Sequence, residues 1–156
     1  MKILAYGILI AAALLVPTTP QELDKLKPVE VIRIDKRGEF MLLETDTGDS
    51  GRGKTVNQAI ADLQETAAGT VYLDTAEYVL LPGEEEPVLC QLVPYLKGSV
   101  RLCHWEGDVK LDEAAKYLDT HRPKMKLKDY RAGIHPEVLK EENGRIRLKG
   151  KISKKV

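Results

Sequence analysis

The sequence predicts an α+β domain: a single mixed sheet opened by an N-terminal β-hairpin, with helices packed on one side of it and an apolar signal or anchor helix ahead of it. Three observations carry this prediction. "VEVIRID" and "EFMLLET" flank the short turn "DKRG". Apolar residues recur at helical spacing in "TVNQAIADL" and "DVKLDEAAKYL". Short strand patterns alternate with the helical ones in the order β-β-α-β-α-β-α, and the tail carries one more strand pattern.

At 156 residues the chain is one domain with appendages. Lys+Arg and Asp+Glu are equal at 24 each. That balance gives no basic stripe for nucleic acid, and the few aromatics offer no base-stacking platform, so no nucleic-acid partner is expected.

The N-terminal segment "MKILAYGILIAAALLVP" has Lys2, an uncharged apolar run from Ile3 to Val16, and then Pro17. The run suits a signal-peptide core and falls short of the roughly 20 residues that span a bilayer comfortably. Residues 1–17 are therefore read as a signal peptide or membrane anchor. No clean small-x-small cleavage site follows, which favours the anchor. Residues 18–28 form a polar linker and residues 29–127 the α+β domain. Residues 128–156 form a basic C-terminal extension with a strand pattern. The expected location is the outer face of the cytoplasmic membrane, or secretion.

From Val29, "VEVIRID" alternates as a half-buried strand. "DKRG" turns with Gly38 where φ > 0 is needed, and "EFMLLET" returns. "TDTGDSGRGK" reads as a loop. Thr55 then caps a helix, with Gln58 closing a capping box and Val56, Ala59, Ile60 and Leu63 forming its apolar stripe. "TVYLD" and "EYVLL" read as two short strands or one bent strand. In "PVLCQLVPYLKG" Pro87 sits in the first helical turn, and Pro94 ends or kinks the helix. "SVRLCHW" places Val100, Leu102 and His104 on one strand face. The third helix presents Leu111, Ala114, Ala115 and Leu118, and Pro123 stops it.

One stretch carries a chemical motif. "GDSGRGKT", Gly48 to Thr55, satisfies the P-loop pattern. In that role glycine amides cradle phosphate, Gly48 and Gly53 shape the turn, Lys54 reaches the terminal phosphates and the Thr55 hydroxyl holds Mg²⁺. Asp74, at the end of "VYLD", is then the metal-holding acid. Against this stands the antiparallel hairpin that feeds the loop, since the nucleotide fold needs a parallel strand in a βαβ unit. An exported domain would also meet little nucleoside triphosphate. The competing reading is a flexible loop and a capped helix.

Cys90 and Cys103 permit one disulfide in an oxidising compartment, and two buried thiols are the alternative. His104, His121 and His135 show no zinc-ligand spacing. Neighbours on a strand face opposite ways, so Cys103 and His104 do not pair as thiolate and imidazole. Ser50 and Ser99 lack a nucleophile elbow. The residues thus name no catalytic group, metal ligand or cofactor.

"ELDKLKPVEVIRIDKRGEFMLLET", "GRGKTVNQAIADL", "TVYLDTAEYVLL" and "SVRLCHWEGDVKLDEAAKYL" together resemble the N-terminal domain of the Ger(x)C family, the membrane-attached C subunit of spore germinant receptors. The likeness runs from about Leu23 to Leu127. It resembles that family's opening hairpin, its Gly-x-Gly-x-Thr helix start, the strand that follows, and a later strand and helix. No cysteine follows the apolar run, where the family carries its lipid-attachment cysteine. The resemblance implies a non-enzymatic protein that binds other membrane or envelope proteins in germination or sporulation. A secreted domain that binds a small ligand on its sheet is a further reading of the residues.

Overall fold

A computed structural model of the chain describes residues 26–83, 85–130 and 134–150. The expected leader and most of the linker lie outside the described residues. The elements in order are β1 (Leu26–Pro28), β2 (Val31–Arg37), β3 (Phe40–Thr45), β4 (Ser50–Gly53), α1 (Val56–Thr66), β5 (Thr70–Tyr72), β6 (Tyr78–Leu81), α2 (Glu85–Leu92), β7 (Arg101–Glu106), α3 (Leu111–Thr120), β8 (Glu137–Glu142) and β9 (Arg145–Lys149). The fold is α+β with a mixed sheet, as the sequence predicts.

Seven strands form the main sheet in the order β4-β3-β2-β6-β7-β8-β9. β2, β6, β7 and β8 run parallel to one another, whereas β2–β3, β3–β4 and β8–β9 pair antiparallel. Two antiparallel steps return β4 to the direction of β2. The short strands β1 and β5 form a separate parallel pair.

The expected hairpin is present: Arg37 faces Phe40 across a two-residue turn in which Gly38 has φ +62°. At the far end of β3 a second turn is tied by Asp46, whose Oδ1 accepts the amides of Glu30 and Val31 at 3.0 Å each.

Helices cover both faces, which corrects the expectation of one helical side. On the first face Ile32, Ile34, Val79, Leu81 and Leu102 pack with the α1 stripe Val56, Ala59, Ile60 and Leu63 and with Val88, Leu89 and Leu92 of α2. On the second face Val31, Tyr78, Leu80, Cys103 and Leu139 pack against Ala114, Ala115 and Leu118 of α3. The physical reason is visible in β6: Tyr78, Val79, Leu80 and Leu81 are all buried, as in a parallel strand covered on both faces. Each fully buried leucine or isoleucine in these clusters contributes about 1.5–3 kcal/mol.

The domain also extends further than its expected boundary. β8 and β9 belong to the main sheet, so the chain through Lys149 is part of the domain rather than an extension. Asn143 (φ 54°) and Gly144 (φ 70°) make the two-residue turn between them. "TVYLD" and "EYVLL" resolve into two strands of different sheets, separated by a 3₁₀ turn at Leu73–Thr75. Pro94 lies in a 3₁₀ turn, Val93–Tyr95, that directly follows α2.

Candidate functional site

The octapeptide folds as an edge strand and a helix cap. Ser50–Gly53 form β4, paired with β3 so that Gly51 faces Leu43 and Gly53 faces Met41. The sequence predicts loop here, because glycine and serine dominate the strand, and the structure corrects that expectation. Its glycines have a steric task. A Cβ on Gly51 would lie 2.0 Å from the Ala59 carbonyl oxygen and 2.5 Å from the Leu63 nitrogen. A Cβ on Gly53 would lie 2.6 Å from the Ala59 nitrogen. The backbone of α1 thus rests directly on the backbone of β4. Gly48, with φ +84°, turns the chain into the strand.

Four amides along this junction, two in the octapeptide and two in the first turn of α1, are engaged by the protein's own side chains. Asp62 Oδ2 accepts the Arg52 amide at 2.7 Å, and Gln58 Oε1 accepts the Lys54 amide at 2.9 Å. Gln91 Oε1, from α2, accepts the Val56 amide at 3.0 Å, and Thr55 Oγ1 accepts the Gln58 amide at 3.2 Å. Thr55 caps α1 as the sequence predicts, but Gln58 does not close the expected capping box: its side chain reaches one residue further back, to the Lys54 amide rather than that of Thr55. Asp62 also satisfies an edge-strand donor that would otherwise invite another strand. Asp74 is exposed in the 3₁₀ turn after β5, and β5 belongs to the two-stranded sheet, so no strand ladder joins it to β4.

Lys54 and Thr55 are exposed and line a hollow of about 200 Å³, together with Lys36, Met41, Pro82 and Gln91. The hollow lies where β2, β4 and β6 end, beside the first turn of α1.

The two cysteines are separate free thiols, Cys90 exposed and Cys103 buried. α2 packs on the first face and Cys103 belongs to the second, so the disulfide is not formed. Burial pushes the Cys103 thiol far above its ordinary value, and Glu137 adds to the effect. The half-buried His104 approaches the Leu81 carbonyl through Nδ1 at 3.4 Å. His121, at the end of α3, stacks on Tyr117 with ring centroids 4.3 Å apart. Among the described residues, no group of His, Cys, Asp and Glu has the arrangement of a metal site.

A second hollow, of about 350 Å³, opens at the opposite end of the strands, where β6 and β7 begin. Lys97, Arg101, Arg122 and Lys126 line it, with Glu77 as its one acid. No local pattern singles these residues out, since Lys97 and Arg101 are far in sequence from Arg122 and Lys126; only the fold gathers them. Lys126 is held there by an antiparallel bridge to Arg101, with Leu102 and Leu127 amides donating to the Met125 and Val100 carbonyls. The same segment is fixed from β8, where the buried Glu137 accepts the Lys124 amide at 2.7 Å.

Beside this hollow the charge changes sign. Burial raises the Glu30 carboxyl above its ordinary value, and Asp46, Glu77 and Asp119 raise it further against the opposing Arg122. The Tyr78 hydroxyl is buried without a hydrogen-bond partner among the described residues, and Arg122 is the cation acting on it. Because folding raises the Glu30 pKa, its contribution is most favourable below the ordinary carboxylate range and is lost as pH rises through the folded value. Glu30→Gln is therefore expected to raise the melting temperature at pH 7, and the difference from wild type should shrink towards about pH 4. Thermal denaturation of both proteins across that range checks it.

Fold and surface together define an α+β domain with a mixed sheet covered on both faces and separate hollows at opposite strand ends. No family model, curated protein or solved structure matches the chain.

Proposed function

We propose that the chain is a non-enzymatic, extracytoplasmic, membrane-associated protein. In this reading it is a subunit or assembly factor of spore germination or sporulation and acts by contact with other membrane or envelope proteins. The observation supporting it is the engagement of the Arg52 and Lys54 amides of the octapeptide by Asp62 and Gln58, and of the Val56 and Gln58 amides just after it by Gln91 and Thr55. With those donors occupied, recognition falls to side chains displayed on the surface rather than to a phosphate cradle. The apolar run Ile3–Val16 supports delivery across the membrane.

A second reading, nucleotide binding, draws on one observation: Lys54, Thr55 and Lys36 share the hollow at the strand ends. Two measurements separate the readings. A reporter fused at the C-terminus is expected to report the outer side of the membrane; a cytosolic signal contradicts the proposal. Mg·ATP at millimolar concentration is expected to leave the melting temperature of the purified chain unchanged. A rise of several degrees that Lys54→Ala abolishes establishes the second reading instead.

A further inference from the structure

The hollow at the beginnings of β6 and β7 has a chemistry that nothing above assigns. We infer that it binds an acidic peptide segment of a partner protein, whose carboxylates lie across Arg101, Lys126 and Lys97; this rests on the contact reading proposed above.

The cations come from three separate stretches of chain. Lys97 precedes β7, Arg101 opens it, and Arg122 and Lys126 follow α3. Arg101 is half-buried and its Nη1 donates to the Pro123 carbonyl. That contact holds the guanidinium in place and leaves its remaining N–H groups as a fixed fork of the kind that matches a carboxylate. The Lys97 and Lys126 ammonium groups have no partner among the described residues. Arg122 is shared with Asp119 at 3.4 Å, so it contributes least.

The type of anion follows from what surrounds the cations. Tight phosphate sites use convergent backbone N–H groups. Here the nearby amides are spent: Val100 on the Lys97 carbonyl, Arg101 on Glu77, Leu102 on Met125 and Leu127 on Val100. The donors that remain are side-chain cations spread around an open hollow, which suits several carboxylates side by side. Glu77 lines the hollow, and Glu30 and Asp119 add negative charge beside it, which repels an extended polyanion. A nucleic acid or an anionic bilayer presents continuous negative charge and would meet all three acids; a short acidic segment would meet Glu77 alone.

The probe is a fluorescently labelled octaglutamate peptide, titrated into the purified full chain at low and at physiological salt. Saturable binding is expected, weakened by salt because surface charges carry it. The double variant Lys97→Glu, Lys126→Glu should lose it by at least about tenfold while melting at the wild-type temperature, since neither ammonium has a structural partner. Charge reversal of Lys36 and Lys54, in the other hollow, should leave binding unchanged. The inference is overturned by absence of saturable binding, by equal binding to the Lys97→Glu, Lys126→Glu variant, or by full displacement of the peptide by low-millimolar inorganic phosphate. Stronger binding to vesicles of anionic lipid than to the peptide also overturns it. A cytosolic C-terminus would remove the extracytoplasmic reading and leave this peptide binding intact, so the two failures are distinguishable.

Discussion

Gly51→Ala is expected to abolish cooperative folding or to lower stability by at least about 4 kcal/mol, the range of severe core overpacking. The added methyl would lie 2.0 Å from the Ala59 carbonyl oxygen, 2.5 Å from the Leu63 nitrogen and 2.7 Å from the Leu63 Cβ. Two of those atoms are helix backbone, which a rotamer change cannot move. Either α1 lifts from β4 or β4 leaves the sheet. Lifting α1 exposes Val56, Ala59, Ile60 and Leu63, the stripe that closes the first core. A stability of about 5–15 kcal/mol, usual for a domain, does not absorb that loss. Gly38→Ala is the control, with φ +62° and open space around its Cβ position. Its cost is backbone strain alone, about 1 kcal/mol. Circular dichroism with urea titration reads both variants.

Arg33→Ala should destabilise the fold by about 3 kcal/mol, the cost of breaking a mostly buried charge pair by deleting one partner. The Arg33 side chain is 11% exposed, and its Nε and Nη2 donate to Glu44 Oε2 at 3.0 and 2.7 Å. Nη1 donates to the Val109 carbonyl at 2.7 Å, which fixes the chain entering α3. The guanidinium carbon stands 5.0 Å from the centre of the Trp105 ring, and that indole reaches past the end of β6 to donate to the Ile34 carbonyl. One side chain thus joins β2, β3, β7 and the lead into α3. Removing it leaves the Glu44 carboxylate and the Val109 carbonyl without these donors. The double variant Arg33→Met, Glu44→Leu should lose less than Arg33→Ala alone, because no charge is stranded. Urea denaturation of the three proteins tests this; a loss below about 1 kcal/mol for Arg33→Ala would mean that the network is decorative.

The hairpin at Gly38, the Thr55 helix cap and the stripes of α1 and α3 were legible because each is local: a turn residue, a cap, a period. β4 was not. Its inward contact is with a helix backbone, so the residues that make it a strand are glycines, and glycine runs read as loop. β8 and β9 were legible in part. "ENGR" carries the Asn-Gly turn signal, but the many charges of "EVLKEENGRIRLK" hide Leu139, which is buried. The two-faced sheet also had a signal, the uninterrupted "YVLL" and the adjacent apolar pair Val31 and Ile32. The basic hollow had none. Its four cations span residues 97 to 126 and meet only when β7 pairs with the segment carrying Lys126.

What the octapeptide does is tested most directly by one thermal-shift experiment on wild type, Lys54→Ala and Gly51→Ala, each with and without Mg·ATP. If its glycines exist to let α1 rest on β4, Gly51→Ala loses its folding transition, Lys54→Ala melts within about 1 °C of wild type, and nucleotide moves none of them. A stable Gly51→Ala protein, together with a nucleotide-dependent rise in wild type that vanishes in Lys54→Ala, contradicts the account.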